Sequence, residues 1–166
     1  AGNTTNASVT NRPQLDPIGV LVSKVDADTN QNVAEGAGTL QGAQFTVKYY
    51  VGNYSSDPAA QGVAPTRKWV FETDADGFCY FSSAYLVSGD AFYTNSSGIP
   101  SLPLGTVTIQ ETKAPEGYLL NPEVYVRQIL ANGNAENVDT YNYPIIKENS
   151  LKLDLVKKQE GTEIVI

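Results

Sequence analysis

Histidine and methionine are absent from this chain, and cysteine occurs once, at Cys79. Without histidine there is no Ser–His nucleophile pair and no imidazole metal site. A single cysteine excludes an internal disulfide and a thiolate zinc cluster. A secreted domain of this sequence therefore has to draw its stability from something other than disulfides. No apolar run approaches the length of a membrane-spanning helix, and no long helical period is present. Basic residues are outnumbered, and the net charge of −7 argues against nucleic acid and anionic membrane surfaces as partners. Without an initiator methionine the chain reads as a processed or trimmed product from which any signal peptide has gone.

What is present favours strands. Hydrophobic residues make up 41% of the 166 positions, which excludes wholesale disorder and allows one domain with a real core, or one domain and a fragment of another. Ten tyrosines, many Val and Thr, and 14 Gly and 9 Pro spaced along the chain give an all-β reading.

Residues 1–13 are polar and small and read as a flexible leader. Ile18, Val20, Val22 and Lys24 alternate on the first strand, which runs to a turn at Asp26–Asn30. Ala43, Phe45, Val47 and Tyr49 alternate on the next. A Gly/Ser/Pro loop covers about 52–66. Lys68–Thr73 and Phe78–Ser82 read as a hairpin around Asp74-Ala75-Asp76-Gly77, and Tyr85–Thr94 as a second around Ser88-Gly89-Asp90. Residues 95–103 read as loop. Gly105–Lys113 is a strand ended by Pro115-Glu116-Gly117, followed by strands at Val124–Leu130 and Asn137–Tyr143, the latter ended by Pro144. Beyond it, Leu151, Leu153, Leu155 and Lys157 alternate as Ile18 to Lys24 do, a weak internal repeat.

Three inward positions are polar: Lys24 on the first strand, Glu111 after Val107 and Ile109, and Asn142 in register with Val138 and Thr140. A carboxyl on an apolar face is costly unless it is neutral or partnered. An amine, an acid and a carboxamide together in a dry core can react. Burial favours the neutral, nucleophilic amine. A protonated Glu111 can polarise the Asn142 carbonyl and move protons. The product is a Lys24–Asn142 amide with loss of ammonia, formed once per chain. The same residues also read as a snorkelling lysine, a plain Lys24–Glu111 salt bridge and a turn-adjacent amide.

Glu111-Thr112-Lys113-Ala114-Pro115-Glu116-Gly117-Tyr118 resembles the E-box of Gram-positive pilin and adhesin domains of the CnaB (SpaA-like, prealbumin-like) type. Lys24-Val25-Asp26-Ala27-Asp28-Thr29 is similar to that family's first-strand lysine and turn, and Leu40–Val47 to its next strand. Thr73–Gly77, Leu102–Thr106 and Asn142-Tyr143-Pro144-Ile145 follow in the family's order, so the resemblance spans roughly 18–147. It implies an Ig-like/prealbumin-like antiparallel β-sandwich. It also implies a Lys–Asn or Lys–Asp isopeptide bond promoted by the E-box Glu. Here that is Lys24 with Asn142, Asp139 or Asn137 standing in as acceptor under a shifted register. Such domains serve as shafts, stalks or adhesive modules of sortase-assembled surface proteins. No sorting signal and no pilin-motif lysine is visible in this sequence.

The reading is an all-β sandwich over 14–147, preceded by the leader and followed by a strand extension over 148–166. That extension is either the start of a similar domain, with Lys157 equivalent to Lys24, or a strand donated to a neighbouring subunit. The function expected is a structural module of an extracellular, cell-wall-associated pilus or stalk, with neighbouring domains or subunits of the same fibre as partners. It requires no cofactor or metal and no enzymatic turnover. The alternative is an adhesin module that binds a host or environmental ligand through residues 83–103 and the loop near 52–62. A Cys79–Gln128 thioester is a minor reading, because Cys79 shares parity with Phe81 as a small core residue. The Asp-rich turns at 26–28 and 74–76 lack the late bidentate Glu of a full calcium loop.

Overall fold

The computed structural model describes residues 15–130, 141 and 143–151. Residues 1–14, residues 131–140, Asn142 and residues 152–166 lie outside the described residues, and with them the leader, most of the expected Asn137–Tyr143 strand and the alternating tail. The described strands are β1 (Leu15–Pro17), β2 (Val20–Asp26), β3 (Gln44–Tyr50), β4 (Arg67–Glu72), β5 (Phe78–Tyr80), β6 (Leu86–Gly89), β7 (Tyr93–Thr94), β8 (Pro100–Pro103), β9 (Gly105–Lys113), β10 (Val124–Ile129) and β11 (Ile145–Glu148). They form a five-stranded sheet in the order β10-β9-β3-β4-β6 and two three-stranded sheets, β1-β8-β7 and β11-β2-β5. Every ladder is antiparallel except β11 on β2, which is parallel.

One apolar cluster joins the sheets. Phe45, Val47, Tyr49, Trp69, Phe71, Val107 and Ile109 of the five-stranded sheet pack with Val22, Cys79, Leu102 and Ile146 of the others and with Phe81 just beyond β5. The alternation read for β3 and β9 holds: Phe45, Val47, Tyr49, Val107, Ile109 and Glu111 are all buried. The intervening Thr106 and Thr108 are buried too, so the middle of β9 is covered on both faces. Thr106 satisfies its hydroxyl there by donating to the Gly52 carbonyl (2.9 Å) and accepting from the Tyr54 N–H (2.9 Å).

Two expected hairpins are not formed. The turn at Asp74–Gly77 is real: Asp74 Oδ1 accepts from the N–H groups of Asp76 and Phe78 (3.0 Å each). The strands it joins separate, however, with β4 pairing to β3 and β6 while β5 pairs to β2. The turn therefore carries the chain from one layer to the other. Likewise β6 pairs with β4, not with β7. Gly89, at φ +139, lies so close to β4 that a Cβ would meet the Lys68 carbonyl and the Trp69 Cα at 2.6 Å. Asp90 then accepts the Lys68 N–H (2.8 Å) and, through its own carbonyl, the Trp69 indole N–H (2.8 Å), ending the pairing. The true hairpin is β7–β8. Its turn is closed by Asn95 Oδ1, which accepts from the N–H groups of Ser97 and Ile99 (3.0 Å each), inside the stretch expected to be loop. This 83–103 segment contributes to the core: Phe92 stacks against Trp69 and Phe71, and Leu102 is fully buried.

The sheet also takes in residues assigned by sequence to the extension. β11 runs through Glu148, and Ser150 bridges to Tyr118. The Leu119 N–H donates to the Asn149 carbonyl (2.8 Å) and the Leu151 N–H to the Gly117 carbonyl (2.7 Å). Among the described residues no helix is long and apolar enough to cross a membrane.

Candidate functional site

β2 carries Val22, Lys24 and Asp26 on one face, all buried, and continues into a turn that Asp26 itself closes. Asp26 Oδ1 accepts from the N–H groups of Asp28 (2.8 Å) and Thr29 (3.1 Å), and Oδ2 from the Tyr118 hydroxyl (2.8 Å). The Lys24 backbone is fixed from both sides: its N–H donates to the Gly77 carbonyl (2.8 Å) and its carbonyl accepts from Asn32 Nδ2 (2.6 Å). The lysine side chain is thereby delivered, fully buried, toward the opposite sheet.

Glu111 meets it there. It stands on β9 directly across from Phe45 of β3 and is 2% exposed. Lys24 Nζ donates to Glu111 Oε1, and the Phe45 ring lies 4.9 Å from Nζ. The other oxygen of Glu111 accepts the Asn121 N–H at 2.7 Å. That amide is presented by the chain after the Pro115–Tyr118 turn, where Gly117 (φ +88) lets the backbone approach Gly38: a Cβ there would lie 2.9 Å from the Gly38 Cα.

A second carboxyl, absent from the sequence reading, reaches the same amine. Glu148 on β11 is fully buried, and its Oε1 is paired with Lys24 Nζ. The parallel ladder sets Ile146 beside Lys24 and Glu148 beside Asp26. Along β11, Ile146 and Glu148 point inward while Ile145 and Lys147 are exposed. The signal was therefore of the same kind as at Glu111, a carboxyl at an inward position. It was hidden because Ile145 and Ile146 are both apolar, so alternation alone does not choose the face.

Burial pulls the Lys24 amine down from 10.5 to about 8, against the opposing effects of the Glu111 charge and hydrogen bond. Near neutral pH about a tenth of such an amine is uncharged and nucleophilic, far more than for a free lysine, and it faces two carboxyls across a site walled by Phe45. The arrangement can hold an ion pair, pass a proton, or condense an amine with an acid. Lys24 and Glu111, two of the expected site residues, come together. Asn142 and its stand-ins Asp139 and Asn137 lie outside the described residues.

The remaining expectations fall away from this site. Cys79 is buried in the apolar cluster, where burial pushes its thiol far up. Gln128 is on β10, donating to the Tyr54 carbonyl (2.7 Å). Among the described residues, ligand atoms of Asp26, Asp28 and Glu35 lie within 4.8 Å of one another. The Asp26 carboxylate already serves the turn and Tyr118, and Asp28 and Glu35 are exposed. Asp74 spends its two oxygens on its own turn and on the Tyr85 hydroxyl (2.8 Å).

The chain is an all-β sandwich with a buried polar cluster between its layers. Residues 19–144 match the family model described as SpaA, prealbumin-like fold domain, and the chain belongs to that family. No curated protein matches the chain. Solved structures similar to it include the following three. The Bacillus anthracis TIE protein is 24% identical, with a TM-score of 0.42, covering 81% of this chain and 18% of that one. A streptococcal ancillary pilin is 21% identical, with a TM-score of 0.41, covering 81% and 30%. The group B streptococcus pilus 2b backbone protein is 22% identical, with a TM-score of 0.39, covering 89% and 46%. The chain thus spans less than half the length of each.

Proposed function

We propose that this chain is a structural module of a Gram-positive surface pilus or stalk, working outside the cell. Its sandwich is closed by a covalent bond from Lys24 whose formation Glu111 promotes. Its partners are neighbouring domains or subunits of the same fibre, and its only chemistry is this one self-reaction. The observation that carries the reading is the buried contact between the Lys24 amine and the Glu111 carboxyl, made across the two layers inside an apolar wall. Family membership and the E-box-like Glu111–Tyr118 segment support it. The sequence offers Asn142 as acceptor.

The reaction needs a neutral amine, an acid able to carry a proton, and fixed geometry, which together give a large effective molarity. The result would be mechanical. β2 is entered near one end of the chain and the acceptor lies near the other, so tension would pass through the bond and bypass what lies between. Stretching single molecules by their termini tests this. Only the chain outside the cross-link should lengthen. Extension by the full contour of 166 residues would overturn the proposal.

A further inference from the structure

Resting on the covalent reading above, we infer that the acceptor for Lys24 is the side-chain carboxyl of Glu148, joined as a Lys24–Glu148 amide with loss of water. Three observations on the described residues carry this.

The first is position. Glu148 is two residues beyond Ile146, the ladder partner of Lys24, an offset of about 7 Å along a strand. Two long side chains close that offset, and the Glu148 carboxyl meets Nζ in a fully buried site.

The second is the difference between the two carboxyls. Glu111 is anchored, with one oxygen on Nζ and the other on the Asn121 N–H. Apart from the Lys24 amine that meets Oε1, neither oxygen of Glu148 takes a hydrogen bond from any described group. In its acid form such a carboxyl offers an electrophilic carbonyl carbon. An anchored carboxyl suits proton transfer, and an unanchored one suits attack. Asp26, the other acid on this face, is engaged by two turn amides and Tyr118 and takes neither role.

The third is charge. One amine faces two carboxyls, so full ionisation would leave a net negative charge in a dry core. Condensation removes the amine and one acid and leaves Glu111 with its amide donor.

The step balances. The Nζ lone pair attacks Cδ of the protonated Glu148. Glu111 takes a proton from Nζ and delivers it to the departing hydroxyl. The Cδ–O bond breaks, the Cδ–Nζ bond remains, one water leaves, and Glu111 is regenerated.

The test is the mass of the denatured 166-residue chain together with sequencing of its proteolytic fragments. The expected result is a deficit of one water and a branched peptide joining Lys24 to Glu148. Glu148→Gln should instead lose one ammonia with the branch at the same pair, and Glu148→Ala should keep its full mass. A wild-type deficit of one ammonia, or a branch from Lys24 to any other residue, overturns Glu148 as acceptor while leaving the covalent reading intact. A full wild-type mass without a branched peptide overturns both. The wild-type measurement decides even where a variant fails to fold.

Discussion

Glu111→Gln isolates the chemistry from the packing. Glutamine keeps the volume of the side chain and an oxygen for the Asn121 N–H, but it has no acid proton to move. Lys24 keeps Glu148 as ion partner, so the native state loses on the order of 1 kcal/mol from the weakened hydrogen bond. The larger loss lies in the unfolded chain. A bond from β2 to β11 closes a loop of more than ~100 residues, and by analogy with disulfides such a loop is worth about 4.7 kcal/mol of unfolded-chain entropy. At about 2–4 °C per kcal/mol for a domain of this size, the variant should melt about 10–20 °C below the wild type. Calorimetry on wild type, Glu111→Gln, Lys24→Met and the double variant gives the measurement, with the intact mass of each alongside. Either single change abolishes the bond, so the double variant should lose little more than the worse single one, a coupling of about 4–5 kcal/mol. Additive losses, or a Glu111→Gln variant that melts within a few degrees of wild type, would refute the reasoning.

Two further outcomes follow from the buried groups. Glu148→Ala leaves Lys24 as a free amine beside Glu111, with a folded pKa of about 8 against 10.5. Below about 8 it is charged in both states and the burial penalty is complete. Between about 8 and 10.5 the unfolded chain holds the extra proton, so the variant's stability relative to the wild type should climb with pH. Urea midpoints of both proteins across that window check it, and a flat or falling difference contradicts it. Cys79 should resist alkylation in the native protein and react once denaturant is added, because burial holds its thiol protonated. Rapid labelling of the folded chain would place it outside the core.

The sequence exposed the parts of this fold that local pattern controls. Val107, Ile109 and Glu111 are legible because β9 alternates without interruption and its neighbours are unambiguous. The Asp74–Gly77 turn is legible for the same reason, since its hydrogen bonds are made within four residues. Which strands a turn joins is a different matter. Whether β6 pairs with β7 or β4 depends on Trp69 and Lys68, some twenty positions away, and on the close approach that Gly89 permits. β8 was hidden by its own prolines, Pro100 and Pro103, which read as loop yet sit at the two ends of the strand. Besides the two apolar residues Ile145 and Ile146, punctuation hid Glu148: Pro144 read as a stop, whereas it stands immediately before β11.

The placement of Glu148 bears on why a bond would be useful at this point and not elsewhere. Among the described residues β11 is an edge strand, held to β2 by a four-residue parallel ladder. Parallel pairing is slightly weaker per residue than antiparallel. Tension drawn between β2 and the chain beyond β11 would shear that ladder, and its loss would open Ile146 and the polar cluster to water. Lys24 and Glu148 both lie toward the C-terminal ends of their strands, so a bond between them would carry load from β11 to β2 before it reached the longer ladders of the five-stranded sheet. Glu111 comes from the opposite layer, so the set proposed to react would be complete only after the two layers have packed. In an unfolded or misregistered chain the Lys24 amine is hydrated, charged and unreactive. A link so arranged would form after the correct core had assembled, and would then hold an edge strand that is otherwise tied to β2 by a ladder of four residue pairs.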